Sequence, residues 1–244
     1  MNIEYVDAHC HADLFINDSS IIEEAEINKV HTIAVTNVPS VFLRTQNLSK
    51  GKKYIYPAVG LHPELVKTHG SEVANLWPIL NETRFVGEVG LDYSTDDLNE
   101  RQNQRDIFSA ILLHCSEYKN KVITVHSRRA ASDVIAAVGE KYPGKIILHW
   151  FTGTSKEVDR AINSGFWFSI NLNMLGTSKG FELINKMPIN RLLTETDGPF
   201  GKFNNNSATP KDVKVLVNKL SGVWKKTVEE TAAIILENFK SVLS

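Results

Sequence analysis

Short apolar segments rich in β-branched residues recur along the chain, and each is followed by a stretch with helical periodicity. The segments are nearly continuous in apolar residues, a pattern typical of strands buried on both faces of a parallel sheet. They are Ile3–Ala8, Thr32–Asn37, Tyr54–Gly60, Arg84–Val89, Lys121–His126, Lys145–His149, Phe166–Ile170 and Arg191–Thr194. Eight strands alternating with about eight helices predict an α/β fold of the (β/α)8 TIM-barrel type. A doubly wound open sheet is the alternative, because the number of strands does not establish closure.

The stretches between these segments contain helix signals. Apolar residues recur at helical intervals from Ile107 to Tyr118 and from Val228 to Val242. Three pairs have the spacing of a capping box: Ser20 with Glu23, Thr154 with Glu157, and Thr227 with Glu230. No repeat, low-complexity segment or long linker interrupts the alternation, so we expect one domain over residues 1–244.

Composition narrows the class of protein. A hydrophobic fraction of 42% can fill a sizeable core, which excludes a disordered chain. The net charge of −1 argues against a generally basic surface, but it allows a cleft made positive by metal ions. There is no apolar run of about 18 residues, no secretory signal at the N-terminus, and two cysteines form no zinc or disulfide pattern. We therefore expect a reduced, cytoplasmic protein without membrane contact, and a monomer by default.

The end of the first strand contains a candidate metal-binding pattern. Asp7, His9 and His11 alternate along the strand, so their side chains point to one face. Two imidazoles at this spacing can chelate a divalent cation, and Asp7 is placed to accept a ring N–H. Taken alone, the His-x-His pattern is better explained by chance.

The ends of four other strands change that interpretation. In a parallel barrel these positions converge at the carboxyl-end mouth, where active sites lie. The residues are Glu88, His126, His149 and Asp197. Four imidazoles and two carboxylates can hold two divalent ions with one carboxylate shared, whereas burying so many titratable groups without a metal would be costly. We expect hydrolysis by a metal-activated water with Asp197 as general base, and Glu195, deeper on the same face, supporting a ligand rather than binding metal.

Two further residues near the mouth suggest a phosphate-bearing substrate. His62 follows the third strand, and Arg128, with Arg129 beside it, follows the fifth. A guanidinium fork suits phosphate oxygens, and an imidazole can donate to a third oxygen. Arg128 in an ion pair with Asp92 or Asp133, and His62 in a turn hydrogen bond, are equally good interpretations on chemical grounds.

Together, the motifs resemble those of the TatD family, metal-dependent deoxyribonucleases of the amidohydrolase superfamily. The resemblance extends in order from Asp7 to about Asn238. The matching motifs are Asp7-Ala-His9-Cys-His11, Gly60-Leu-His62-Pro63, Gly87-Glu88-Val-Gly90-Leu-Asp92-Tyr93, Gln104-Arg105-Asp-Ile-Phe108, His126-Ser-Arg128, His149-Trp-Phe151-Thr-Gly153 and Glu195-Thr-Asp197-Gly-Pro199.

The resemblance implies a TIM barrel that hydrolyses DNA phosphodiesters, commonly from 3′ to 5′ at single-stranded ends. It implies two divalent ions, zinc, magnesium or manganese. One would be held by His9, His11, Glu88 and Asp197, and the other by Glu88, His126 and His149. By the same resemblance Asp197 and Glu88 are catalytic, and His62 and Arg128 meet the scissile phosphate. Asp92 joins the substrate-binding set, orienting Arg128 or assisting proton transfer.

The chain also departs from the family pattern. Trp150 replaces a cysteine, and its ring can stack on a base or pack. The segment 203–209 is short and rich in asparagine where relatives have a longer basic loop. The departure is consistent with a different nucleic acid, a weaker activity or a grip supplied by partner chains, as in the multi-gene bacterial antiphage systems in which some TatD-like proteins serve. The alternatives to a nuclease are a hydrolase of small phosphodiesters, aminoacyl-tRNA esters, amides or lactones, and a non-enzymatic scaffold.

Overall fold

A computed structural model describes residues 3–244, in which eight parallel strands form one sheet in sequence order. The prediction of a (β/α)8 barrel is confirmed, and every strand begins and ends within two residues of its predicted bounds. The strands are β1 (Tyr5–Cys10), β2 (Val30–Val35), β3 (Ile55–Val59), β4 (Phe85–Gly90), β5 (Val122–His126), β6 (Lys145–His149), β7 (Trp167–Ile170) and β8 (Leu192–Thr194).

The sheet closes where the segment after β8 meets the end of β1. The amide of Asp197 donates to the carbonyl of His9 at 2.9 Å, and the amide of His11 donates to the carbonyl of Gly198 at 2.8 Å. These two backbone hydrogen bonds join the first and last strands, so the open-sheet alternative is wrong. The same bonds place three of the predicted site residues side by side.

Helices cover the outside of the barrel. Within residues 3–244 the α-helices are α1 (Asp18–Ile27), α2 (Phe42–Ser49), α3 (Val66–His69), α4 (Val73–Glu82), α5 (Leu98–Ser116), α6 (Ala131–Val138), α7 (Ser155–Asn163), α8 (Leu172–Leu175), α9 (Ser178–Lys186), α10 (Val213–Trp224) and α11 (Val228–Leu243). The apolar faces of these helices pack on the strands, and Leu76, Phe108 and Phe239 are at most 1% exposed. Each such side chain contributes about 1.5–3 kcal/mol through burial. No helix in the described part of the chain has the length and hydropathy needed to cross a membrane.

Two of the three predicted capping boxes are present. Thr154 and Thr227 each cap a helix together with the glutamate three residues later. The prediction for Ser20 is wrong, because α1 begins at Asp18 and Asn17 is its N-cap. The Asn17 side chain accepts from the amide of Ser20 at 3.3 Å. Asparagine caps a helix as well as serine does, so the helix starts three residues earlier than predicted.

The asparagine-rich segment after β8 contains an ordered hairpin. Strands β9 (Lys202–Phe203) and β10 (Asn206–Ser207) pair in antiparallel orientation. Asn204 and Asn205 form the turn, with φ of 50° and 63°. A two-residue turn of this type needs positive φ at both positions, and asparagine tolerates it better than most residues. The segment that the sequence marked as a short loop is therefore a compact β-hairpin.

Candidate metal centre

The structure brings all six predicted metal-binding side chains together at the carboxyl-end mouth of the barrel. Five of them are at most 5% exposed, and His126 is partly buried. They are His9, His11, Glu88, His126, His149 and Asp197. Such a concentration of imidazole and carboxylate groups in one small volume requires compensation by protons or cations.

Glu88 is the centre of the cluster, and its two oxygens face different histidines. Oε2 lies 3.1 Å from His11 Nε2 and 3.5 Å from His9 Nε2. Oε1 lies 2.6 Å from His126 Nδ1 and 2.8 Å from His149 Nε2. One carboxylate thus borders two adjacent groups of nitrogen donors, which is the geometry that a bridging ligand needs.

Asp197 completes the group on the Oε2 side of Glu88. Its Oδ1 lies 3.5 Å from His11 Nε2 and 3.7 Å from His9 Nε2, and the two imidazole nitrogens are 3.3 Å apart. A tetrahedral cation with ligands at about 2.0–2.1 Å has ligand-to-ligand distances of about 3.3–3.4 Å. Asp197 Oδ1 is also buried without a hydrogen-bond partner among residues 3–244. The donor set therefore fits a divalent cation in size and chemistry.

The imidazole rings are oriented from behind. His126 Nε2 lies 2.7 Å from Asp92 Oδ2, and His9 Nδ1 lies 2.7 Å from Thr124 Oγ1. Because Asp92 accepts the Nε2–H of His126, the lone pair of Nδ1 points toward Glu88. A hydrogen bond on one ring nitrogen fixes which nitrogen can bind a cation. These contacts orient the rings for ligation.

The structure corrects the expectation for Asp7. Its carboxylate receives no imidazole N–H. It accepts from the backbone amide of Thr196 at 2.9 Å, from the Thr196 hydroxyl at 2.5 Å and from the amide of His9 at 3.3 Å. Asp7 is two residues deeper in the barrel, where β8 is its neighbour, and burial raises its pKa to about 8. Thr124 takes the expected place beside His9, and its spacing of two from His126 on β5 was the available signal.

Glu195 supports the site as expected, from behind His149. Its Oε1 accepts from the amide of Trp150 at 3.0 Å and from Asn171 Nδ2 at 2.9 Å, and Oε2 accepts from the Ser169 hydroxyl. Oε1 is 3.7 Å from His149 Nδ1, longer than a hydrogen bond. Glu195 is therefore held away from the cavity by neutral donors.

Burial and charge act in opposite directions on the pKa values of the cluster. Burial would raise the pKa of Glu88, but the surrounding histidines outweigh burial and hold it well below its usual range. Burial lowers the pKa of His11, yet the nearby carboxylates of Asp197 and Glu88 raise it to about 9. Burial also lowers the pKa of His149, but the charge of Glu88 outweighs burial and holds this pKa well above its usual value. Positive charge is thus favoured around Glu88, whether protons or a cation supply it.

A cavity of about 600 Å³ opens above the cluster, and His62 and Arg128 are among the residues that line it. His62 Nδ1 accepts from the amide of Glu64 at 3.2 Å, so the neutral ring holds its proton on Nε2, 3.5 Å from Glu88 Oε1. The turn hydrogen bond and a donor facing the cavity coexist in one ring. Arg128 is 55% exposed and forms a long ion pair with Asp92 Oδ2 at 4.0 Å, so the ion pair and a place in the cavity wall coexist in this residue too.

Asp92 has a different position from the one expected of a substrate-binding residue. Its side chain is 0% exposed, and it does not line the cavity above the cluster. One oxygen holds His126, and the other accepts from the amide of Ser94 at 2.7 Å. Burial would raise the pKa of Asp92, but these hydrogen bonds lower it below its usual range. Asp92 thus acts on the site through His126.

Backbone constraints fix the positions of the Glu88 and Asp197 carboxylates. A side chain at Gly60 would place a Cβ 2.3 Å from the amide nitrogen of Glu88, so only glycine lets β3 end beside this residue. Asp197 has a φ of 51° and Trp150 a φ of 36°, both unusual for residues with side chains. Such backbone strain concentrates at functional sites.

Phe200 is a cavity residue that the sequence analysis missed. Its ring is 53% exposed and lies edge-on to His11, with ring centroids 5.2 Å apart. Trp150 also lines the cavity, half-buried. An exposed aromatic residue directly after Gly198-Pro199 at the end of β8 was the only signal for Phe200. Together these two residues give an otherwise polar mouth aromatic surfaces.

A barrel with four imidazoles around one shared carboxylate at its mouth defines the class of metal-dependent hydrolases. Comparisons with known proteins agree. The sequence model of the family described as TatD-related DNase matches residues 6–244. The uncharacterised metal-dependent hydrolase YabD of Bacillus subtilis is 28% identical over 96% of this chain and 95% of its own. The human deoxyribonuclease TATDN3 is 26% identical over 96% of this chain and 92% of its own.

A solved structure supports the fold. The TatD homologue YjjV of Escherichia coli superposes with a TM-score of 0.88 at 24% identity, covering 100% of this chain and 99% of that one. The chain belongs to the TatD-related DNase family, and it is a metal-dependent hydrolase of the TatD type.

Proposed function

We propose that this hydrolase is a deoxyribonuclease that shortens single-stranded DNA from its 3′ end with two divalent ions. The observation on which the proposal rests is the pair of donor groups that share Glu88, directly below a cavity lined by His62 and Arg128. Metal ligands at the base of a pocket with phosphate-binding side chains at its wall suit phosphodiester hydrolysis.

The ligand assignment follows from the distances around Glu88. His9, His11, Asp197 and Glu88 Oε2 would hold one ion. His126 Nδ1, His149 Nε2 and Glu88 Oε1 would hold the second. When bound, such ions lower the pKa of a water molecule and polarise a phosphoryl oxygen. Zinc, manganese and magnesium all remain candidates, because an imidazole-rich site with carboxylates suits more than one of them.

The protein's own groups have separate tasks. Asp197 would bind the ion through Oδ1, which leaves Oδ2 as the base that accepts a proton from the attacking water. The proton on His62 Nε2 and the fork of Arg128 would bind non-bridging phosphate oxygens. Each of these donors lies on the cavity wall, where it can hold the phosphate in line with Asp197.

The aromatic rings of the mouth favour a single strand. Trp150 and Phe200 line the cavity, and an unpaired base presents a face that can stack on such rings. A net charge of −1 does not suit a protein that coats a long duplex, whereas it is compatible with gripping one end of a strand. The 3′-to-5′ direction comes from the family resemblance.

The proposal needs a single chain and no partner subunit. The site residues all come from one barrel, so the partners expected in a multi-gene antiphage system are not part of it. Cys10 and Cys115 are buried and unpaired, which agrees with work in the reducing cytoplasm. A cavity of about 600 Å³ also has the size of a small-molecule pocket, so a small phosphodiester is the second candidate substrate.

The test is hydrolysis of single-stranded DNA labelled at either end, with zinc, manganese or magnesium added, alongside Asp197→Asn. We expect a metal-dependent ladder that shortens from the 3′ end, and a loss of about 10²–10⁴-fold in rate in the variant. Shortening from the 5′ end would refute the direction. Metal-loaded protein that leaves DNA intact but hydrolyses a small phosphodiester would transfer the proposal to the second candidate.

A further inference from the structure

A second open cavity of about 630 Å³ lies next to the one above the metal centre. We name it the outer cavity. The two cavities share Ser127, Arg128 and Thr152 in their walls, so they meet at the loops that follow β5 and β6. Arg129 lines the outer cavity alone. A chain molecule held at Arg128 can therefore continue into the outer cavity without crossing a barrier of protein.

The cations of the outer cavity are available to a ligand. Arg129 is exposed and forms no ion pair with any residue between 3 and 244. Arg128 is 4.0 Å from its nearest carboxylate oxygen. Lys179 is exposed and donates to a neutral acceptor, the carbonyl of Thr152, at 2.9 Å. Within residues 3–244, Arg129 and Lys179 thus have no carboxylate partner, and Arg128 has only the long ion pair with Asp92.

The two carboxylates of the outer cavity are already engaged. Asp133 accepts from the Tyr93 hydroxyl at 2.7 Å. Glu157 accepts from the amide and hydroxyl of Thr154 at 2.6 and 2.8 Å, in the capping box of α7. With three cations against these two anions, the wall keeps a charge of +1, while the whole chain has −1. The positive excess is local to this rim.

The backbone around Arg129 is unusual. Helix α6 begins at Ala131, two residues after Arg129, and Asp133 in its first turn offsets the partial positive charge of the helix N-terminus. Arg129 itself has a φ of 55°, a conformation that costs about 1 kcal/mol or more for a residue with a side chain. The chain accepts this cost at the residue that projects into the outer cavity.

We propose that the outer cavity binds the backbone phosphate next to the scissile one, with Arg129 as its principal contact. This inference rests on the proposed nuclease function and adds the side of the mouth on which the strand continues. Adjacent residues would serve adjacent phosphates: Arg128 at the junction of the two cavities, and Arg129 one step outward. The preferred substrate is then a nucleic acid strand with at least two phosphodiesters rather than a small molecule with one.

The test compares two substrates that differ in this second phosphate. The dinucleotide thymidylyl-thymidine has one phosphodiester, and a thymidine octamer has several. We expect Arg129→Gln to lower kcat/KM on the octamer by about five- to tenfold through KM, and to lose far less on the dinucleotide. The slope of log KM against log salt for the octamer should fall by about 0.7, the value for one phosphate contact of a single strand.

Two further variants separate charge from folding. Arg129→Lys keeps the positive charge and should retain most of the octamer activity. Lys225→Gln is the matched control, because Lys225 is also an exposed cation with a φ of 54°, but it ends α10 away from the mouth. It should keep the wild-type preference for the octamer and the wild-type salt slope.

The outcomes separate the two proposals. If the wild type hydrolyses the octamer and Arg129→Gln keeps its KM and salt slope, the outer cavity is not a phosphate site, and the nuclease function stands. Equal losses on both substrates would also overturn the inference. If metal-loaded wild type hydrolyses neither substrate, the nuclease function fails, and this inference fails with it.

Discussion

Two clusters of histidine and acidic side chains lie at opposite ends of the barrel and differ in how fully their polar atoms are paired. The lower cluster comprises Glu4, His31, Tyr54 and Tyr56. His31 Nδ1 lies 2.8 Å from the Tyr56 hydroxyl and Nε2 lies 3.0 Å from Glu4 Oε2, while Tyr54 donates to Glu4 Oε1 at 3.0 Å. Both nitrogens of the ring and both oxygens of the carboxylate have a partner.

The metal centre has the opposite balance. Glu88 alone faces five imidazoles within 3.5 Å, and Asp197 Oδ1 and His11 Nδ1 have no hydrogen-bond partner among the described residues. The same side-chain types therefore form a closed hydrogen-bond network at one end and an incomplete set at the other. Histidine and carboxylate side chains alone therefore do not mark a candidate metal site. The number of hydrogen-bond partners of their polar atoms distinguishes it from a structural cluster.

The largest effect should come from removing the metal ions. Chelation should abolish hydrolysis, and the loss of an ion held at a hundred times its Kd removes about 2.7 kcal/mol of stability. For a chain of this size that lowers Tm by roughly 5–10 °C. Thermal unfolding with and without chelator measures it. Glu4→Gln should show the same response to chelator as wild type. Full activity and an unchanged Tm after chelation would show that the metal centre, like the lower cluster, does not depend on a bound metal.

The next effect concerns the carboxylate behind a ligand. Asp92→Asn removes the charged acceptor that orients His126, so metal affinity should fall by about 10–100-fold with the fold intact. A competition titration against a coloured chelator measures this affinity. Glu4→Gln is the matched control, since it removes an equivalent charge beside His31 and should leave affinity unchanged. Equal affinities for wild type and Asp92→Asn would show that the orientation of His126 does not depend on this charge.

A smaller effect is expected from the aromatic ring at the mouth. In the lower cluster the His31 ring packs against the rings of Tyr54 and Tyr56. The Trp150 ring, in contrast, borders the cavity. Trp150→Ala should raise KM for single-stranded DNA about tenfold, equivalent to about 1.4 kcal/mol of base stacking. Trp150→Phe should restore part of the loss. An oligonucleotide with an abasic 3′ end should be less affected, and the same loss on both substrates would contradict stacking.

The smallest effect is a pH dependence of stability in the lower cluster. The hydrogen bond with His31 lowers the pKa of Glu4 from 4.5, although burial opposes it. A carboxyl with a lowered folded-state pKa adds stability above its unfolded pKa and loses it as the pH falls through the folded value. The free energy of unfolding of the wild type should therefore exceed that of Glu4→Gln by about 1 kcal/mol or less near neutral pH. The difference should be smaller below about pH 4. Chemical unfolding of both proteins at the two pH values tests this. A stability difference that grows in acid would contradict the lowered pKa of Glu4.

The sequence predicted what local composition determines. Continuous apolar runs located all eight strands, because a strand buried on both faces has no polar alternation. The six metal-centre residues followed from strand ends alone, since parallel strands bring their carboxyl ends together. Neither inference needed to know which strands were neighbours across the barrel.

The contacts that depend on neighbours across the barrel were not predictable. Asp7 pairs with Thr196, and Thr124 takes its expected place beside His9, because strand register and barrel closure decide which side chains meet. Asp92 was expected near substrate but lies behind His126 for the same reason. The hairpin of β9 and β10 depends on two left-handed asparagines, a backbone property that spacing does not reveal.

The seam between β1 and β8 has a consequence for how the enzyme becomes active. His9 and His11 are synthesised well before Asp197, yet backbone hydrogen bonds across the seam place them together. A nascent chain that still lacks its last strand holds only part of the ligand set. The complete cluster therefore forms only after the seam has closed, so partly synthesised copies lack it.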